Sequence, residues 1–232
     1  GRIKGETMDS RLLGILSDAF GKIVMAGIKV TIPLTIVSFT TGLIIAVICA
    51  LIQYAQVPVL KRIVRVYIWL IRGTPLLVQL FIIFYGLPTL GIRIDPLYAA
   101  TIGFSLCEGA YMAETLRGAL EAVPKGQTEA GYCTGMNFVQ IMAHIVLPQA
   151  FRTAFPGLSN SLISLVKDTS LAANITVVEM FMTTQRIAGR TYKFLALYIE
   201  VAVVYLLFCS VITWLQGKIE KRLNRYEAKE AK

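Results

Sequence analysis

Residues 30–52 carry no charged side chain, and residues 194–217 carry one, Glu200. A helix needs about 20 consecutive apolar residues to cross the hydrocarbon core of a bilayer, whereas apolar stretches of roughly 10–14 are the habit of soluble cores. Both runs exceed the soluble length. The rest of the chain agrees: of 232 residues, 56% are hydrophobic and 16% charged, against about 25% charged in a soluble domain. The chain reads as an integral membrane protein built of helices.

Five spans are expected within residues 26–216. The first covers residues 26–52, with Lys29 near one end, where its long stem lets the ammonium reach water. Ahead of it, residues 8–25 put Leu12, Leu13, Leu16, Phe20 and Ile23 on one face, with Arg11, Asp18 and Lys22 elsewhere. That pattern predicts an amphipathic helix in the membrane interface, or else the opening turns of the first span. Residues 1–7, before Met8, read as an added remnant outside the fold. The second span is expected over residues 73–90, after a helical pattern broken at Arg72, Gly73, Thr74 and Pro75. Residues 97–120 form the third span. Residues 121–148 are the most polar interior stretch and read as a loop of short helices. The fourth span, residues 149–166, is interrupted at Pro156 and Gly157. The fifth, residues 194–216, leads into a basic tail, residues 217–232.

The formal net charge is +9. Nucleic acid is a poor explanation, because the cations gather at span ends: Lys61, Arg62 and Arg65, then Lys218, Lys221, Arg222 and Arg225. They are not interleaved with aromatic residues on a polar face. An excess of Lys and Arg on the cytoplasmic side of a membrane accounts for them. The rule puts the tail, the segment 53–72 and the loop 121–148 inside. The N-terminus is then outside. Arg186, Arg190 and Lys193 fall outside, against the rule.

Cys49, Cys107, Cys133 and Cys209 lack the spacing of a metal site, and His144 is the single histidine. No metal and no histidine-based triad is expected, and no span carries a nucleophile with its base. There is no phosphate-binding G-x-x-x-x-G-K-[ST] loop either. Energy for any pumping has to come from another subunit, and nothing in these residues points to an enzyme.

One motif is specific. Glu129-Ala130-Gly131 is followed by three residues and Gly135, then by nine residues and Ile145-Val146-Leu147-Pro148. This resembles the E-A-A-x3-G-x9-I-x-L-P loop of ATP-binding-cassette importer permeases, with Gly131 in place of the second alanine. The residues suit two short helices. Pro124 fits a first turn, Gly135 a stop, and Asn137 a cap for a second helix ending before Pro148. Two further segments are similar to the polar amino-acid branch of that family, residues 72–81 (RGTPLLVQLF) and 159–171 (SNSLISLVKDTSL). So is the stretch 109–114 (GAYMAE), and overall the similarity is greatest to L-cystine permeases. The resemblance implies a type I, MetI-like bundle whose loop 121–148 carries helices that couple to an ATPase. It also implies a dimer of ATPase subunits holding ATP and magnesium, with no cofactor in this chain. An external amino-acid-binding protein and a second permease, identical or closely related, complete the assembly.

Ionisable residues inside a span are expensive and mark function by default. Ser105, Glu108 and Met112 share a helical face beside Tyr111, and the Glu108 carboxylate could meet the ammonium of an amino acid or hydrogen-bond to a neighbouring helix. Glu114 and Arg117, three apart, are expected to pair with each other. Asn160, Ser164, Lys167 and Asp168 form a stripe that either lines a pathway or packs between helices. Glu200 has no partner within its own helix pattern. A carrier driven by an ion gradient is the competing reading, with Glu108 and Glu200 as proton sites; such carriers usually show internal repeats, and none is visible here.

Overall fold

The computed structural model describes residues 2–223, with side chains from Ser10 onward, and all the described residues are helix or connecting turn. In chain order the helices are α1 (Arg2–Ala26), α2 (Ile32–Tyr54), α3 (Pro58–Arg72), α4 (Leu76–Phe81), α5 (Pro96–Ala122), α6 (Lys125–Cys133), α7 (Phe138–Ile141), α8 (Leu147–Asp168), α9 (Met180–Thr191) and α10 (Phe194–Leu223). α5 is the hub. It packs along α2 and α8 and is crossed by α3, while α1, α9 and α10 form a separate apolar cluster around Ile23, Met180, Leu197 and Val204.

The helices run on past prolines at several places. Of the two alternatives for residues 8–25, the helix continuity matches the opening turns of the first span: α1 runs into α2 through a π-helical turn, Gly27–Thr31, giving one helix over Ser10–Tyr54. Against expectation, α7 does not stop before Pro148, because a π-turn over Met142–Val146 carries it into α8. A third π-turn, Ile82–Gly86, extends α4. In each case the residue before a proline donates to the carbonyl five residues back: Ile32 to Gly27, Leu87 to Ile82, Leu147 to Met142. A proline lacks the N–H and its ring clashes with the carbonyl four residues back. Widening the preceding turn relieves that clash without ending the helix. Pro156 lies inside α8 and does not interrupt it either. The neighbouring Gly157 serves a close approach, since a Cβ there would stand 2.7 Å from Thr115 of α5.

The expected break at residues 72–75 is present. The axis turns by 102° between Pro58–Arg72 and Leu76–Leu90. Gln79 holds the corner, its Nε2 donating to the carbonyls of Ile71 (2.8 Å) and Thr74 (3.1 Å), so the Ile71 carbonyl in the last turn of α3 is not orphaned.

By length and composition two helices can cross a bilayer, Ser10–Tyr54 and Phe194–Leu223, or four if each bent pair counts as one span. α5 is not among them, because Glu108, Glu114 and its many small residues lower its hydropathy; it is covered by other helices instead. Of the expected tail, residues 217–223 continue α10, and residues 224–232 lie outside the described residues, as does Gly1 of the segment 1–7.

Candidate functional site

Small residues bring α2 and α5 into backbone contact. A Cβ on Gly42 would stand 3.1 Å from the Glu108 Cβ and 3.1 Å from the Ser105 carbonyl, and one on Gly109 would stand 2.8 Å from Ile45. Helices in a bilayer associate through such close packing, since lipid tails supply no hydrophobic drive between them. Tyr67 of α3 closes the third side by donating to the Leu106 carbonyl at 2.6 Å.

Three of the candidate residues are enclosed in this region. Met112 is fully buried, and Ser105 and Glu108 are 4% and 6% exposed. Ser38 of α2, one turn before Gly42, is buried as well. The hydroxyls of Ser38 and Ser105 and the Oε2 of Glu108 find no hydrogen-bond partner among the described residues. Buried polar atoms are nearly always paired, so this gathering stands out. Asp168 at the end of α8 is near enough to act electrostatically on Glu108.

The other candidates lie elsewhere. Tyr111, Asn160 and Ser164 are exposed, on the flank where α5 meets α8 at Gly157. The structure thus separates the six residues into an enclosed set on α5 and an exposed set on the α5–α8 flank. Lys167 continues the exposed stripe, while Asp168 turns partly inward. The Arg72 guanidinium sits 5.2 Å from the Tyr111 ring centroid, within the range of a cation–π contact. Glu114 and Arg117 pair as their spacing predicts, at 3.0 Å, and Glu121 (2.7 Å) and Arg72 (3.9 Å) extend the pair into a network. Glu200 stays unaccounted for: its Oε2 is buried and finds no partner among the described residues.

The loop 121–148 folds on itself. Gly135 has φ +83°, the left-handed conformation that glycine adopts without strain. It ends α6 in a paired cap: Met136 N–H donates to the Gly131 carbonyl (3.1 Å) and Gly135 N–H to that of Tyr132 (3.0 Å). Asn137 and Gln140 exchange side-chain and backbone bonds at the start of α7, a reciprocal cap. Gly131 is buried, and a Cβ there would meet Ile141 at 2.8 Å and Ile145 at 3.1 Å. The two halves of the motif therefore pack on each other. The small size of Gly131 serves this contact within the chain. Glu129, Ala130, Leu147 and Pro148 are exposed, and so are the apolar Tyr132, Phe138 and Val139.

Sequence reading passed over Glu179. It is fully buried and caps α9, accepting from Phe181 N–H (2.8 Å), Met182 N–H (2.7 Å) and the Tyr205 hydroxyl of α10 (2.9 Å). Glutamate is not among the preferred capping residues, and the partner lies 26 residues away, so only the tertiary fold reveals it. Glu179→Ala should destabilise the protein by about 2 kcal/mol or more, combining a lost cap with a stranded hydroxyl. Thermal unfolding of the purified chain in detergent checks this, with Tyr205→Phe expected to have the smaller effect.

Comparison with known proteins gives this arrangement its context. The chain is 48% identical over 216 residues to the L-cystine transport system permease protein TcyB of Bacillus subtilis (strain 168), covering 93% of this chain and 92% of that protein. It is 37% identical over 211 residues to the L-cystine transport system permease protein TcyL of the same organism, covering 88% of each. A solved amino acid ABC transporter with histidines superposes with a TM-score of 0.80 at 29% identity, over 89% of this chain and 94% of that one. The inward-facing MetNI methionine ABC transporter shares the fold, with a TM-score of 0.73 at 21% identity over 87% and 96%. The family profile described as binding-protein-dependent transport system inner membrane component matches residues 42–225, and the chain belongs to that family.

Proposed function

We propose that this chain is the permease subunit of an ATP-binding-cassette importer that moves a polar amino acid of the cystine class across the bacterial cytoplasmic membrane. The observation that carries the reading is the 48% identity to an L-cystine permease over 93% of the chain. Family membership favours the importer over a carrier driven by an ion gradient. A partner ATPase dimer supplies ATP and magnesium, an external binding protein delivers the amino acid, and a second permease completes the pathway. Five spans serve this role, α5 counting as one because neighbouring helices, not lipid, cover its polar residues. The N-terminus is outside and the C-terminus inside.

In this reading Glu108 holds the substrate ammonium, with Ser105 and Met112 beside it; Tyr111, Asn160 and Ser164 line the route to it. The buried, unpartnered carboxylate oxygen of Glu108 supports that role. The loop 121–148 couples to the ATPase through the exposed side of α6 and α7. Glu129 and Ala130 face the partner, while Gly131, Gly135 and Ile145 set the shape of the loop; Leu147 and Pro148 begin α8. The exposed Phe138 and Val139 support a docking role, since apolar side chains grouped at a surface mark a contact.

Cys133 at the end of α6 is exposed and tests this assignment. An impermeant thiol reagent should label it from the cytoplasmic side alone, and the assembled ATPase should protect it. Labelling from outside in intact cells would reverse the topology, and labelling unaffected by the ATPase would remove α6 from the contact.

A further inference from the structure

α3 divides into three faces. Val64 and Ile68 are buried in the bundle. Val59, Ile63, Val66 and Leu70 form a second face, apolar and exposed. Lys61, Arg65 and Arg72 recur at helical spacing on the third. Trp69, 74% exposed, stands at the edge of the basic face. A helix crossing the hydrocarbon core shows lipid only apolar residues, whereas one lying along its boundary shows an apolar face to the acyl chains and a basic one to the headgroups. The 102° turn at residues 73–75 sets α3 across the direction of the segment that follows it. Tryptophan favours the same depth.

The basic face borders a cleft of about 340 Å³ whose walls include Lys61, Arg65, Arg72, Glu114, Arg117 and Glu121. Both carboxylates are taken by Arg117, and Glu114 also faces Arg72. Lys61 donates to the amide oxygen of Gln56. No carboxylate among the described residues pairs with Lys61 or Arg65. Two cations thus open on one cleft, next to an apolar face that the bundle leaves uncovered.

We propose that α3 lies in the membrane interface and that Lys61 and Arg65 bind the headgroup phosphate of an anionic phospholipid, whose acyl chains rest on Ile63, Val66 and Leu70. The lipid is a structural ligand of each permease subunit, seated where the chain turns into its second spanning segment.

The test uses the purified full chain, with bound lipid read by native mass spectrometry after addition of phosphatidylglycerol or phosphatidylcholine. Phosphatidylglycerol should be retained in preference. Lys61→Gln with Arg65→Gln should lower its retention about 25-fold, roughly fivefold for each cation near the surface. Arg186→Gln with Arg190→Gln removes the same charge elsewhere and should leave retention unchanged. Excess inorganic phosphate should not displace the lipid. Equal retention of both lipids, an equal drop in the two double variants, or displacement by phosphate would overturn the proposal. A second readout covers the case in which the cleft variant fails to fold. The chain has 2 tryptophans, so Trp214→Phe leaves Trp69 as the sole fluorophore. Phosphatidylglycerol with brominated acyl chains should quench it more than brominated phosphatidylcholine does, and equal quenching or none would contradict the assignment.

Discussion

Gly131→Arg is expected to abolish transport while the chain still inserts in the membrane. The position is buried between α6 and the π-turn that follows α7, and a Cβ alone would stand 2.8 Å from Ile141 and 3.1 Å from Ile145. Overpacking of this kind typically costs 1–3 kcal/mol, and a guanidinium forced among those isoleucines adds the cost of an unpaired charge. α6 is then pushed off α7, and the surface formed by Glu129, Ala130, Phe138 and Val139 loses its shape. Gly131→Ala should keep far more activity than Gly131→Arg, because the importer motif carries alanine at this place and the neighbours that have to shift for one methyl are isoleucine side chains, not backbone. Uptake measured beside membrane abundance separates the outcomes. Normal uptake by Gly131→Arg would show that the packing of the loop does not matter to coupling.

Glu108→Gln is expected to lower amino-acid uptake by about 10- to 100-fold, the range of a hydrogen bond to a charged group at roughly 1.5–3 kcal/mol. Assembly and basal ATP hydrolysis should persist. Glutamine keeps the shape of the side chain, so the contact with Gly42 survives, but it no longer offers a carboxylate to an ammonium in surroundings less polar than water. The measurement is uptake into vesicles alongside the ATPase rate, with the binding protein present in both. Unchanged uptake would remove Glu108 from the site. Loss of assembly would assign the carboxylate to the α2–α5 packing instead.

Much of this was legible in the sequence because it rests on local rules. The charge-free run 30–52 announced a membrane helix, the glycine and proline at residues 73 and 75 announced a corner, and the three-residue spacing of Glu114 and Arg117 announced their pair. Proline misled twice: a wider turn absorbed Pro148, which did not end α7, and Pro156 sits inside α8 without breaking it. The candidate residues illustrate the remaining limit. Helical spacing put Ser105, Glu108 and Met112 on one face, but not which neighbour that face meets; Gly42, more than 60 residues earlier, decides it. The same holds for Glu179 with Tyr205, and for Gly131 against Ile141. In each, the partner is set by tertiary packing and leaves no periodic trace in the chain.

The central claim is tested most directly by reconstituting the permease with its ATPase in proteoliposomes, supplying the binding protein on the receptor side, and following labelled L-cystine. The account predicts uptake that requires ATP on the ATPase side, stops with an ATPase unable to hydrolyse it, and survives collapse of proton and sodium gradients. Uptake that proceeds without ATP and follows an ion gradient would contradict it.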